Sequence, residues 1–389
     1  MNPDYNAPPP GPVIGSDRIT SLDLIRGVAV LGILLMNAVS FKLGFAPYFN
    51  LSAGGSETWL DWAIGVFGEI FVDQKFMGLF SLLFGAGIML FIERAETRES
   101  HPVLLNVWRN VLLLGIGTLH MLLWDGDVLM VYALSAFSLV ALRKLSPRPL
   151  IAIGGLIFLL SALGSLLLQY IANTTKASLA GIWESADASA NSSSPAVTDG
   201  IMEGLFLTEF FLRGLGLILM GAGLYRLGFM NGSMTTKTYK LTAAAGLGFG
   251  LPLAVAGVIV TALGDYSQEV AFVGQVSNTL GTIPASLGYM SLIILWDQRG
   301  SNWLKRRLMA AGRMALTNYL SQTILGVLIL TVLLADIAVN RSGILLFCLV
   351  VWILQLWWSQ AWLNRFRFGP AEWLWRVATY RRGQRLRRA

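Results

Sequence analysis

Apolar runs of about 17 to 25 residues recur from one end of this chain to the other, and each is long enough to cross a hydrocarbon layer roughly 30 Å thick as a helix. They fall at residues 21–41, 75–93, 106–123, 128–143, 149–171, 206–227, 241–262, 273–295, 315–335 and 343–363. Composition agrees, with 55% hydrophobic and 13% charged residues in 389 and a positive mean hydropathy, far from the soluble norm. The expectation is an all-α, polytopic integral membrane protein of about ten transmembrane helices, with no room for a sizeable soluble domain.

Lys and Arg in short loops favour the cytoplasmic side. With the N-terminus inside, the inner loops hold Arg94, Arg98, Arg109, Arg143, Lys144, Arg148, Arg226, Lys237, Lys240, Arg299, Lys305, Arg306, Arg307 and Arg313, and the tail adds Arg365 through Arg388. The outer loops hold only Lys42, Lys176 and Arg341, so both termini are expected to be cytoplasmic. The segment "TWLDWAIGVFGEIFVDQKF", residues 58–76, carries four charges, and a full crossing there would invert every later loop. It reads as an interfacial or re-entrant element leading into the second span.

The expected organisation is a flexible cytoplasmic tail (1–20), an N-terminal helical half (21–171), a polar outer loop (172–205), a C-terminal helical half (206–376) and a basic tail (377–389). The first twenty residues are polar and proline-rich and show no cleavable signal peptide. The net charge of +7 is spread over alternate loops rather than gathered with aromatics on one soluble face, so nucleic acid is not an expected partner. The single cysteine, Cys348, allows no intramolecular disulfide and reads as a packing residue. Neither G-x-x-x-x-G-K nor G-x-S-x-G occurs, against a phosphate-binding loop and a soluble-type serine esterase.

The polar residues within the apolar runs carry the functional signal, because ionisable groups at membrane depth are costly. His120 follows Arg109 by eleven residues, roughly 16 Å along the helix at 1.5 Å per residue, and so lies toward the outer side. Asp125 and Asp127 occupy the turn "WDGD", where Gly126 permits a positive backbone dihedral and lets the carboxylates fold back toward the imidazole. One reading is a working histidine; the other is a neutral ring that only ties two helices together. No second histidine stands at ligand spacing, so no metal is expected.

In "SLDLIRG", Asp23 and Arg26 stand at i and i+3 and either form a helix-end ion pair or contribute to a basic mouth. That mouth, made of Arg26, Arg109, Arg313 and Arg376, suits phosphate on the cytoplasmic side, since guanidinium matches phosphate oxygens bidentately. In "VDQKFMGLFSLLFGAG", Lys75 requires a partner among Asp73, Glu69 and the aspartates of the outer turn, while the glycines favour close helix packing. Asn318 and Gln322, at i and i+4, form a polar stripe that bonds neighbouring helices or touches substrate. Arg213 finds a carboxylate in Glu209, one turn away.

Six stretches carry a resemblance. They are "RITSLDLIRGVAVLGILLMN", "KFMGLFSLLFGAG", "LHMLLWDGDVLMVYAL", "LMGAGLYRLGF", "GRMALTNYLSQ" and "RFRFGPAEWLWRVATY", in that order. Together they resemble the YeiB-like bacterial membrane-protein family, whose members carry a C-terminal domain of unknown function. The opening motif is also similar to that of heparan-alpha-glucosaminide N-acetyltransferase, which implies a place among transmembrane acyltransferases. Those proteins take an acyl group from cytosolic acyl-CoA and deliver it across the membrane by way of a membrane histidine. In that enzyme the histidine belongs to the region after the first helix, where this chain reads "FKLGFAPYFNLSAGG" without one, so His120 would have to serve from another helix.

The resemblance implies a multi-pass protein of the bacterial cytoplasmic membrane with acyl-CoA, above all acetyl-CoA, as co-substrate. The acceptor is a glycan, lipid or small molecule, membrane lipids surround the chain, and a homodimer is allowed. His120 would deprotonate the acceptor, Asp125 or Asp127 would fix its tautomer, and Asn318 or Tyr132 would stabilise the oxyanion. The competing expectation is a transporter or permease in which Lys75, Arg213 and His120 mark the pathway.

Overall fold

The computed structural model describes residues 19–97, 101–176, 179–184 and 196–388. The proposed flexible tail falls outside these up to residue 18, as does the polar stretch 185–195. Among the described residues the protein is all-α, with a single isolated β-bridge between Phe366 and Arg387.

The helices are α1 (Thr20–Leu43), α2 (Trp59–Phe67), α3 (Lys75–Glu96), α4 (Pro102–Met121), α5 (Leu129–Leu142), α6 (Pro147–Thr175) and α7 (Ala196–Arg226). They continue with α8 (Thr236–Leu263), α9 (Ala271–Asp297), α10 (Trp303–Arg313), α11 (Ala315–Gly326), α12 (Arg341–Arg365) and α13 (Pro370–Tyr380). Nine helical stretches among the described residues are long and apolar enough to cross a membrane, and the chain is a polytopic membrane protein. The tenth expected span is α5, whose 14 residues extend only about 21 Å. It is shorter than the roughly 30 Å hydrocarbon core, but with the turn before it the chain still runs from Trp124, bonded to Ser40 near Leu43, to Arg143, bonded to Arg226 at the other end.

Two contacts mark the opposite ends of the bundle. Thr20 Oγ1 donates to Asp297 Oδ2 at 3.0 Å, which sets the end of α9 beside the start of α1. Lys42 Nζ donates to the Leu334 carbonyl at 2.5 Å, which sets the connection after α11 beside the opposite end, at Leu43.

The charged segment 58–76 begins at the Leu43 end and runs into the bundle, where the carbonyls of Phe71 and Lys75 accept from Tyr289 Oη and Ser286 Oγ of α9, each at 2.9 Å. Its first helix opens with a Thr58–Asp61 capping box, and Asp61 also accepts from Ser342 N at 2.9 Å, at the start of α12. A π-helical turn, Gly68–Val72, follows. The chain then breaks at Asp73 and Gln74, the latter at φ 60°, before α3 begins. The segment therefore enters α3 from the side on which it began, and later helices keep the expected alternation.

One boundary differs from expectation. The helix predicted over 206–227 begins at Ala196, so residues 196–205 are helix rather than loop. Polar residues there outweighed a helical pattern that docking against α6 sustains.

Helices approach closely where glycine removes the side chain. A Cβ on Gly85 of α3 would lie 1.9 Å from the Ile218 carbonyl oxygen of α7, and one on Gly221 of α7 would lie 2.0 Å from that of Leu82. Between α1 and α10, a Cβ on Gly312 would lie 2.0 Å from the Asp23 carbonyl oxygen. Such backbone contact is the usual means of membrane helix association, where apolar side chains gain little over lipid.

Candidate functional site

A cavity of about 400 Å³ opens among α1, α3, α4, α11 and α13. Arg26 of α1, Arg109 of α4, Arg313 at the end of α10 and Arg376 of α13 all line it. Arg94 of α3 joins them, so five guanidinium groups face the carboxylates of Asp23 and Glu372. The volume lies in the range of small-molecule sites.

Aromatic contacts hold these cations in place. The Arg109 guanidinium lies between Phe91 and Trp375, 4.5 and 4.2 Å from the ring centroids, and Arg376 covers Phe368 at 4.4 Å. Such stacking positions a guanidinium while leaving its N–H edge available. Arg26 reaches Asp23 Oδ1 at 3.4 Å, so the ion pair and the basic mouth coexist.

The amphipathic helix α13 is fastened over this region by three anchors. Glu372 accepts from Leu316 N at 2.7 Å, Thr317 N at 3.1 Å and Thr317 Oγ1 at 2.5 Å, and so caps the start of α11. Trp375 Nε1 donates to the Arg109 carbonyl at 3.0 Å. Trp108 Nε1 donates to the Ala378 carbonyl at 3.0 Å. Burial pushes the Glu372 carboxyl above its ordinary value, and the three donated bonds pull the other way.

Tyr132 and Tyr319 also line the cavity. Behind Tyr319 lies the buried histidine. Tyr319 Oη donates to Asp127 Oδ1 at 2.9 Å, and the same oxygen is 3.0 Å from His120 Nδ1. His120 is 3% exposed and Asp127 is 7% exposed. The Nδ1 contact has ion-pair length without hydrogen-bond alignment, and His120 Nε2 and Asp127 Oδ2 have no hydrogen-bond partner among the described residues. Buried polar atoms without partners are uncommon, and they cluster where a ligand or water is to be received.

The turn between α4 and α5 assigns the aspartates. Leu123 N and Trp124 N both donate to the His120 carbonyl, at 2.9 and 3.2 Å. Trp124 Nε1 donates to Ser40 Oγ of α1 at 3.1 Å, which fixes the turn against the Leu43 end. Asp127 turns inward to the imidazole, whereas Asp125 is exposed. Asp125 therefore leaves the site. Gly126 is not among the glycines of positive φ; its missing side chain instead makes room for the Trp124 ring, 2.2 Å from where a Cβ would lie.

Other expectations change as well. Asn318 is engaged in packing: its Nδ2 donates to the Ala311 carbonyl at 3.1 Å and to Ser359 Oγ at 3.0 Å, and its Oδ1 accepts from Trp358 Nε1 at 2.8 Å. Its amide is satisfied between α10, α11 and α12, and it does not line the cavity. Gln322 Nε2 bonds the Val30 carbonyl and Gln355 Oε1, at 3.0 and 2.9 Å, again joining helices. Tyr132 remains on the cavity wall, its Oη 2.8 Å from Ser81 Oγ.

Lys75 is fully buried, but among the described residues no carboxylate pairs with it directly. It donates to the Glu69 carbonyl at 2.7 Å and to Asn278 Oδ1. Asn278 Nδ2 in turn donates to Asp73 Oδ2 at 2.8 Å, so Asn278 bridges the lysine to the expected aspartate. Arg213 pairs with Glu209 at 2.5 Å, as its spacing implied.

Comparison with known proteins supplies the family. Residues 224–382 match the family described as Protein of unknown function (DUF418). The chain is 32% identical over 384 residues to the Escherichia coli (strain K12) protein named Uncharacterized protein YeiB, covering 94% of this chain and 97% of that one. This chain belongs to the YeiB-like family. The Bacillus subtilis (strain 168) protein named Uncharacterized protein YxaH is 28% identical over 390 residues, covering 95% of this chain and 96% of its own length.

In this YeiB-like protein, sequence reasoning missed Tyr319 and Arg94. Arg94 stood out only as a loop charge. Tyr319 sits between the two polar residues that drew attention, and its one available signal was a phenol within a run of amides.

Proposed function

We propose that this YeiB-like protein is a transmembrane acyltransferase of the bacterial cytoplasmic membrane, with the Thr20 end of the bundle facing the cytoplasm. Acyl-CoA enters the basic cavity from that side, and Arg26, Arg109, Arg313 and Arg376, joined by Arg94, hold its phosphates. One observation carries the reading: arginines from α1, α3, α4, α10 and α13 converge on a single cavity whose wall includes Tyr319, the partner of the Asp127–His120 pair.

In the reaction the acceptor's hydroxyl or amine attacks the thioester carbonyl carbon and the carbon–sulfur bond breaks. His120 takes the acceptor's proton and returns it to the departing CoA sulfur, while Asp127 orients and balances the imidazolium. Tyr132 is the side chain placed to donate to the oxyanion. His120 itself does not line the cavity, so Tyr319 must turn aside or pass the proton on.

The test is acetyl-CoA binding to detergent-purified protein by calorimetry, with Arg26→Ala and His120→Ala alongside. Saturable binding that weakens about tenfold or more in Arg26→Ala and stays unchanged in His120→Ala is the expected result. Absence of binding by acetyl-CoA, longer acyl-CoAs and free CoA would overturn it. A transporter is the second reading, favoured by the burial of Lys75, Arg213 and His120 among the spanning helices. Uptake into proteoliposomes without consumption of acyl-CoA would select it.

A further inference from the structure

The second cavity, about 320 Å³, lies at the Leu43 end between α1, the segment 59–73 and the start of α12. Most of its wall is apolar, including Leu35, Met36 and Val39 of α1 and Ile344 and Leu345 of α12. Phe67, on the same wall, is 55% exposed, so the cavity borders the lipid-facing surface.

Against that wall stands Glu69. Among the described residues its backbone carbonyl accepts from Lys75, but its carboxylate has no hydrogen-bond or ion-pair partner. Its neighbours are otherwise engaged. Asp73 accepts from Tyr48 Oη at 2.9 Å and from Asn278. Arg341 donates from Nε to Ser56 Oγ at 2.9 Å and from Nη2 to the Pro47 carbonyl at 2.7 Å, leaving Nη1 without a bond to the described residues.

Three constraints on an occupant follow. The half-buried Glu69 carboxylate has open accepting positions beside an apolar wall, which a donor carried by an occupant would fill. Asp73 is engaged, so the charged side chains of this wall with an open hydrogen-bonding position are Glu69 and Arg341, one of each sign, and a headgroup that carries both signs meets them. The remaining wall takes hydrocarbon. An aqueous metabolite meets the first two conditions and not the third.

We propose that this cavity is a binding site for a zwitterionic membrane lipid bearing a primary ammonium. The ammonium donates to Glu69, a phosphate oxygen accepts from Arg341 Nη1, and an acyl chain lies along Leu35, Met36, Val39 and Ile344. The site is independent of the acyl-CoA reading, and neither result decides the other.

The test is native mass spectrometry of the delipidated full chain with phosphatidylethanolamine, phosphatidylcholine and phosphatidylglycerol offered in equal amounts. Phosphatidylcholine has the same net charge without ammonium N–H donors, and phosphatidylglycerol donates from hydroxyls but is anionic. Wild type is expected to prefer phosphatidylethanolamine over both by about tenfold, within the range of one charge-assisted hydrogen bond. Glu69→Gln should abolish that preference, and Val39→Trp, which fills the cavity, should lower occupancy by all three. Equal occupancy in wild type, or an undiminished preference in Glu69→Gln together with unchanged occupancy in Val39→Trp, would overturn the assignment. A thermal-shift midpoint within a few degrees of wild type identifies variants that remain folded.

Discussion

Tyr319 is the residue on which the candidate site turns, since it touches the basic cavity and hydrogen-bonds the carboxylate beside His120. Removing its hydroxyl leaves the buried Asp127 oxygen with only the histidine contact. Tyr319→Phe should cost about 1–3 kcal/mol of stability, read as a lowered midpoint of unfolding in detergent, while acetyl-CoA affinity stays within twofold. Asn318→Ala makes the opposite case. Its amide joins three helices and sits outside the chemistry, so a comparable loss of stability should accompany unchanged turnover per folded molecule, measured with any acceptor that wild type acylates.

At the scale of elements, α13 closes one side of the cavity and depends on Glu372 for its docking to α11. Glu372→Ala removes three accepted hydrogen bonds and loosens the helix that carries Trp375 and Arg376. The expectation is faster proteolysis after Arg376 and acetyl-CoA binding weakened about tenfold, the scale of one lost charge-assisted contact. Protection equal to wild type would show that α13 docks without this cap. The α3–α7 crossing is more demanding, because a methyl on Gly85 meets the backbone rather than a movable side chain. Such contact is relieved only by separating the two helices, which act together on the same core.

Over the whole molecule, charge concentrates where the helices converge. Five guanidinium groups against two carboxylates give the basic cavity an excess of positive charge, and electrostatic attraction of this kind is screened by salt. Acetyl-CoA affinity should fall steadily between about 0.05 and 0.5 M salt, and a CoA fragment without phosphates should bind weakly at every concentration. Salt-independent binding would locate the ligand elsewhere. The Leu43-end cavity, where Glu69 and Arg341 offer one open position of each sign to a zwitterionic headgroup, is expected to bind its lipid with little dependence on salt.

Hydropathy alone revealed the helical class, the succession of spans and the residues whose burial demands explanation, because lipid penalises every unpaired backbone group and every charge one segment at a time. It also yielded the four arginines, since a cation at a helix end is conspicuous in a chain with 13% charged residues. Partner choice was not legible. Asp125 and Asp127 are equivalent in sequence, and only the turn pinned by Trp124 to Ser40 sends one inward. Asn318 and Tyr319 are adjacent, yet the helix rotates them onto different neighbours, one into packing with α12 and the other toward the histidine. Lys75 finds its acceptor 203 residues away in Asn278. Local pattern records what each segment must bury, whereas side-chain partners are set by contacts between segments that the order of residues leaves open.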